Sequence, residues 1–206
     1  MNGIKNNAGI IILAAGSSSR LGQPKQLLRF EEKTFLRRSV ESAQKSNCFP
    51  LVVVLGANFE KIAVEIKDLN CELVFNADWE TGMNSSIKTG VKKMLEIAPD
   101  ISALIIALCD QPFVQSTHFN QLIRKYVETK KPIVAGFYNE TFGVPALFAK
   151  EIFPELLNLE GDKGAKEIIR KNPDLVAKMY LPEAAFDIDT EEDVKKLDTG
   201  KFKNRL

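Results

Sequence analysis

Four short apolar runs mark the first half of the chain: "GIIILAA" (9–15), "LVVVLG" (51–56), "CELVFN" (71–76) and "ALIIALCD" (103–110). Their length and β-branched content predict strands. The first, second and fourth are apolar at nearly every position, as expected of strands buried on both faces. Between and after them, "TFLRRSVESAQKS", "NFEKIAVEIKDL", "MNSSIKTGVKKMLEIA" and "STHFNQLIRKYVETK" carry apolar residues at helical spacing with charged opposite faces. Strand and helix in alternation predict a parallel sheet covered on both sides, with right-handed crossovers. After "PIVAGFY" the pattern loosens through "GVPALFA", a helical "GAKEIIRK" and a final "EEDVKKL". No linker-like stretch and no internal repeat interrupts it. One domain over residues 1–206 is expected, with loosely held tails at 1–8 and 199–206.

Composition narrows the possible partners. A chain of 206 residues that is 45% hydrophobic and 27% charged, with 12 glycines and 9 prolines, is an ordinary globular one. Its formal net charge of +1 sets up no global field toward nucleic acid or an anionic membrane. Neither is expected as a partner, and any anion site has to be local. Cys48, Cys71 and Cys109 show no C-x-x-C spacing, and His118 is the single histidine, so no zinc cluster of the usual kind can be assembled. The cysteines are expected to be buried, reduced thiols. There is no apolar stretch behind a basic N-terminal region and no run long enough to span a bilayer, so a cytoplasmic location is expected.

The local anion site is best sought in "IILAAGSSSRLGQPKQLL" (11–28). This loop follows the first buried strand, at the carboxyl edge of a parallel sheet, where open α/β folds bind ligands. Gly16 among small residues lets the backbone turn sharply and aim successive N–H groups at one point, while Arg20 and Lys25 add positive charge. That combination suits a polyphosphate. It is neither a Walker A loop, since Lys25 is followed by Gln26, nor G-x-G-x-x-G. The plainer alternative is a serine-rich turn before a helix.

Acidic residues supply a second signal. Asp110 in "ALCDQP" leaves the fourth strand at the same edge, placed either to bind a Mg²⁺ that bridges phosphate oxygens or to cap the turn before Pro112. In "FDIDTEED" (186–193), alternation puts Asp187 and Asp189 on one face, so either can meet Asp110 at a metal, while Thr190 and Asp193 have capping-box spacing. His118, at a predicted helix start, reads as a satisfied surface or capping residue without a chemical role.

Together these segments resemble a known family. "LAAGSSSRLGQPKQLL" is similar to the signature of the molybdenum cofactor nucleotidyltransferases, especially their cytidylyltransferase branch. "NADWETGMNSSIKTG" (76–90), "CDQP" (109–112), "GVPALF" (143–148), "LEGDKGAKEII" (159–169) and "FDIDTEED" resemble further blocks of that branch in the same order. The resemblance implies a three-layer α/β/α, Rossmann-like nucleotidyltransferase fold with a mainly parallel sheet. It implies Mg²⁺-dependent transfer of CMP from CTP to a phosphorylated acceptor, molybdopterin, with release of pyrophosphate, and a molybdoenzyme as receiver of the product. By the same resemblance Arg20, Lys25 and Asp110 are catalytic. Leu13, Ala14, Ala15, Gly16, Ser17, Ser18, Ser19, Arg20, Lys25, Gly82, Ser85 and Ser86 bind nucleotide. Asp110 and Asp189 hold the metal, with Asp187 in reserve, and Gly143, Pro145, Phe148 and Lys163, with Phe142 beside them, face the acceptor.

Such chemistry rests on positioning and charge neutralisation and needs no histidine. Arg20 is expected to hold the leaving pyrophosphate and Lys25 to stand exposed in the cleft against the α-phosphate, so that its removal leaves folding intact. Asp110 and Asp189 are expected to repel one another without metal. Ser85 and Ser86 equally suit a helix start. Ala15, where guanine-selecting relatives resemble L-A-G-G, favours CTP over GTP. A same-fold transferase using GTP or another acceptor, and a non-catalytic cofactor carrier or insertion chaperone, are the alternatives.

Overall fold

Period-two alternation along β1 (Ala8–Ala14) layers the molecule: Ile10 and Ile12 pack to one side, Ile11 and Leu13 to the other, all buried. The computed structural model describes residues 7–18, 21–162, 164–186 and 192–193. After β1 come a small hairpin, β2 (Arg29–Phe30) and β3 (Lys33–Thr34), then α1 (Phe35–Gln44), β4 (Leu51–Leu55), α2 (Phe59–Ala63) and β5 (Glu72–Phe75). The second half holds α3 (Met83–Ile97), β6 (Ala103–Leu108), α4 (Ser116–Thr129), β7 (Ile133–Tyr138), β8 (Thr141–Ala149), α5 (Phe153–Leu157), α6 (Lys166–Lys171) and β9 (Val176–Tyr180).

Seven strands form one sheet in the order β5–β4–β1–β6–β8–β7–β9. The four on the β5 side run parallel, as do β7 and β9, whereas β8 is antiparallel to both its neighbours. The Ile10 face is covered by Leu36 and Val40 of α1, Ile62 of α2 and Phe119 and Leu122 of α4. The Ile11 face is covered by Ile87, Val91 and Met94 of α3, Leu156 of α5 and Ile168 of α6. This is the three-layer α/β/α, mainly parallel architecture that the apolar pattern implies.

Three local departures have physical causes. The reversal into β8 comes from Asn139 and Glu140, both left-handed at φ 48° and 58°, which join β7 to β8 as a two-residue hairpin. The helix expected over "NFEKIAVEIKDL" tightens into a 3₁₀ turn at Val64–Ile66. There Arg37 donates to the Glu65 carbonyl at 2.9 Å and to Asp68 Oδ2 at 2.6 Å, tying this turn to α1. At the N-terminal end, Ala8 already pairs with Ala103, so the last residue of the expected 1–8 tail belongs to β1.

Phe148 requires a correction. It was expected to face an acceptor, but it lies in β8 opposite Leu104 and Ile133 and is fully buried. The register of β8 turns its ring into the core under α3 and α5, so it is a packing residue. Phe148→Ala should lower unfolding free energy by about 3–5 kcal/mol, read as a drop in the urea midpoint at unchanged m; a smaller loss would deny it a core role.

His118 caps α4. Its Nδ1 accepts the Gln115 N–H at 3.0 Å and its Nε2 faces Glu183 Oε1 at 3.8 Å. Burial holds its pKa below the ordinary value of 6.5, against the pull of Glu183. A lowered folded pKa means that the unfolded chain binds the proton first as pH falls. The His118 contribution to stability is therefore present above pH 6.5 and lost below it. Between about pH 6.5 and 5.5 the wild type should lose stability while His118→Gln stays nearly flat, as followed by urea midpoints at each pH.

Candidate active site

Registers of Leu13 with Val54 on one side and with Leu108 on the other bring the carboxyl ends of β4, β1 and β6 to one level. The loops that leave these strands converge on a cavity of about 240 Å³. Of the predicted nucleotide set, Leu13, Ala14, Ala15, Gly16, Lys25, Gly82 and Ser86 line it, and Asp110 closes it from the end of β6. Ser17 and Ser18 lie on the same loop outside the lining. Ser19, Arg20, Lys163, Asp187 and Asp189 lie outside the described residues.

The centre of the cavity is an ion pair between Lys25 Nζ and Asp110 Oδ2, with side-chain exposures of only 20% and 9%. A carboxylate this buried needs a counter-charge, and Lys25 supplies it. One expectation is changed by this contact. Lys25 does not stand exposed in the cleft but is largely buried against Asp110, while the expected repulsion between Asp110 and Asp189 involves a residue outside the described ones. Asp110 Oδ1, also buried, has no hydrogen-bond partner among the described residues. An unshared carboxylate oxygen beside a ligand cavity suits a hard divalent cation, so Asp110 fits one position of a Mg²⁺ site.

The loop is shaped by residues that the sequence reading passed over. Gln26, almost wholly buried, donates its amide to the carbonyls of Ala14 and Gly16, each at 2.8 Å, and Ala57 N–H donates to the Ala15 carbonyl at 3.0 Å. Three successive peptide planes are thereby fixed. In a trans peptide the N–H lies opposite the C=O, so the N–H groups of Ala15, Gly16 and Ser17 are held in set directions. The sharp turn falls at Ser18 and Gly22, with φ of 57° and 64°, rather than at Gly16. Ser18 Oγ accepts the Lys25 N–H at 3.0 Å, and its carbonyl accepts the Leu21 N–H. Gly16 instead leaves open space where a side chain would project.

The opposite wall is the start of α3. Asn76, buried at the end of β5, donates to Ser85 Oγ at 2.8 Å and Ser86 Oγ at 3.0 Å. Ser85 also donates to the carbonyls of Asp78 and Gly82, so its hydroxyl serves the helix start, and only Ser86 reaches the wall. Trp79 sits on the cavity because Gly56 has no side chain: a Cβ there would fall 2.5 Å from Trp79 Cβ and 2.7 Å from the Ala15 carbonyl. Asn84, also missed, donates to the carbonyls of Glu160 and Gly161 and accepts from Gly164 N–H. That amide ties the "EGDKG" loop to α3, with Asp162 against Gly82 and Met83 against Gly164.

Cys109 lines the cavity next to Asp110, yet burial, and secondarily the Asp110 charge, push its thiol up to about 12, so it remains protonated. Gly143 and Pro145 are buried in β8 and do not line this cavity.

The family of MobA-like NTP transferase domains matches residues 10–176, which hold the whole of this cavity. The chain belongs to that family. Nicotine blue oxidoreductase of Paenarthrobacter nicotinovorans is 28% identical over 91% of this chain and 94% of its own. The molybdenum cofactor cytidylyltransferase of Escherichia coli K12 is 33% identical over 39% of this chain and 42% of its own. Among solved structures, Rv0371c of Mycobacterium tuberculosis H37Rv superposes with a TM-score of 0.81 at 25% identity, covering 94% of this chain and 98% of that one, and a further structure of Rv0371c is a complex with manganese.

The ion pair makes a stability prediction. Lys25→Met leaves the Asp110 carboxylate buried without its counter-charge and should cost about 1–3 kcal/mol, whereas the double variant Lys25→Met/Asp110→Asn should recover most of that loss. Thermal unfolding of the single and double variants checks it; additive losses would mean that the pair contributes nothing to folding.

Proposed function

We propose that this chain is a Mg²⁺-dependent nucleotidyltransferase that moves CMP from CTP to a phosphorylated acceptor, molybdopterin, and releases pyrophosphate. The observation that carries the reading is the convergence of Lys25 and Asp110 on a cavity roofed by the fixed loop of residues 14–16. In the reaction an acceptor phosphate oxygen forms a bond to the α-phosphorus while the bond from that phosphorus to the β-bridging oxygen breaks, and the electron pair leaves with pyrophosphate.

Chain groups serve that displacement by position and charge. N–H groups of Ala15, Gly16 and Ser17 are available to phosphate oxygens in directions set by Gln26 and Ala57. Lys25 sits where a cation stabilises charge building on the α-phosphate. Arg20 is assigned to the leaving pyrophosphate. Asp110, with Asp189 or Asp187, would hold Mg²⁺, which supplies neutralisation of the phosphate oxygens when bound; the manganese complex of Rv0371c supports a divalent ion. Asp110 would serve as a ligand of the bound cation and Lys25 as a partner of the phosphate, each in place of the other.

Ala15 is buried on the cavity wall, and its methyl group narrows the base end. A group of that size is worth about 1–3 kcal/mol, or roughly 10–200-fold, in discrimination. The test is pyrophosphate release from each nucleoside triphosphate with molybdenum-loaded molybdopterin. CTP should exceed GTP in kcat/KM by at least about tenfold, and Ala15→Gly should shrink that ratio. Asp110→Asn and Lys25→Ala should each abolish turnover. Binding of CTP without turnover would favour a carrier, and absence of both would return the chain to the redox chemistry that the relative from Paenarthrobacter is named for.

A further inference from the structure

Asp110 lies beyond the strand that carries it. β6 ends at Leu108, and the Cys109 N–H reaches the Leu13 carbonyl only at 3.4 Å, so the ladder does not fix the backbone of Asp110. What fixes it has to come after it. Gln111–Val114 form a tight turn: the Val114 N–H donates to the Gln111 carbonyl at 3.1 Å, and Pro112 stands at the second position, where its ring presets φ. Ser42 of α1 donates its hydroxyl to the Val114 carbonyl at 3.3 Å. Two side chains, one on each side of Pro112, then tie this turn to the rest of the molecule.

Gln111 is the first tether. It is buried and does not line the cavity. Its Nε2 donates to the Val144 carbonyl of β8 at 3.1 Å and to the Ala184 carbonyl at 3.0 Å. The Val144 carbonyl also accepts the Tyr138 hydroxyl at 2.8 Å. Gly143 makes room for that hydroxyl, since a Cβ there would fall 2.2 Å from its oxygen. Chain from β7, from β8 and from the 3₁₀ turn after β9 (Pro182–Ala185) therefore meets around one amide.

Phe113 is the second tether. Its ring meets Phe30 of β2 edge-on at 5.7 Å and Phe186 edge-on at 5.5 Å. Phe30 and Phe113 pack on a small apolar cluster of Leu21, Leu28 and Phe35, none of which lines the cavity. Leu21 and Leu28 flank Lys25 in the chain. The loop that carries Lys25 and the turn that carries Asp110 thus share one core, and the spacing of the two charges is set from behind the cavity.

We propose that Gln111 and Phe113 are positioning residues for Asp110: one ties its turn to β8, the other ties it to the core behind the Lys25 loop, and together they hold Asp110 Oδ1 where it takes a divalent cation. The assignment rests on the metal-dependent transfer reading for the identity of the ligand, whereas the tethering stands on the contacts. Mg²⁺ demands near-octahedral geometry at about 2.0–2.1 Å. A small drift of a turn outside the sheet is therefore enough to lose the ligand, and residues that never touch the ion govern its affinity.

The test is Mn²⁺ titration of the full chain in the presence of CTP, read as loss of the free-ion electron paramagnetic resonance signal. Gln111→Met keeps the length of the side chain without its donor; Phe113→Leu keeps an apolar group without the ring, at a half-buried position that tolerates the change where Gln111→Met does not fold. Each should weaken Mn²⁺ binding by about tenfold or more, with CTP binding in EDTA unchanged. In an Asp110→Asn background, itself weakened, neither substitution should weaken Mn²⁺ binding further, because both act through Asp110; a general loosening of the fold would weaken it again. Unchanged Mn²⁺ affinity in either folded variant, an equal loss of CTP binding in EDTA, or a further loss in the Asp110→Asn background overturns the proposal and leaves the transferase reading intact. Full Mn²⁺ affinity in Asp110→Asn alone overturns the metal reading and the proposal with it. Mn²⁺ binding that follows the tethers without any pyrophosphate release overturns the transferase reading alone.

Discussion

A carboxylate under 10% exposed cannot stand without a counter-charge, and the architecture of this cleft follows from how Asp110 finds one. The partner comes from a loop 85 residues earlier in the chain, which is near only because β1 and β6 are neighbours in the sheet. Once Lys25 is anchored there, Gln26 beside it faces the other way and clamps the carbonyls of Ala14 and Gly16. One ion pair and one amide thereby give a glycine- and serine-rich loop a single shape. The arrangement also suits exchange, because each partner of the pair is a ligand for a component of a metal–triphosphate complex.

The sheet was legible because burial on both faces leaves a distinct trace: continuous apolar runs such as "IIIL" and "LVVVL" have few other uses in a globular chain. The helices were legible for the complementary reason that one face is wet. What escaped was whatever depends on single residues. Asn139–Glu140 builds the hairpin that reverses β8, though it lacks the glycine that usually announces such a turn. Arg37 shortens α2 from another helix.

In the site, Lys25, Asp110 and the edge of the sheet could be named in advance, since a charge emerging from an apolar strand is conspicuous. Phe148 was misread because a core phenylalanine and a ligand-facing one look alike until the register is known; Phe142, six positions earlier on the same strand, lies at its open end. Gln26, Asn76 and Asn84 escaped because a buried amide has no pattern in one dimension. Its meaning lies in which carbonyls and hydroxyls the fold brings to it. Gly16 was credited with a turn that Ser18 and Gly22 make, because the sequence marks where flexibility is available and not where it is used.

Asn84 has a consequence for the order in which the molecule is made. Its amide joins backbone groups 76, 77 and 80 positions further along. Closing a loop of that length brings an entropic cost that local contacts do not, and it comes before the clamp can repay it. The β1–β6 pairing and the Lys25–Asp110 pair close loops at least as long, but within the chain up to Asp110, whereas the wall that Asn84 holds needs the segment around 160–164, beyond α5. In order of synthesis both members of the Lys25–Asp110 pair are therefore present before the segment that Asn84 holds, so that wall of the cavity depends on the later part of the sequence.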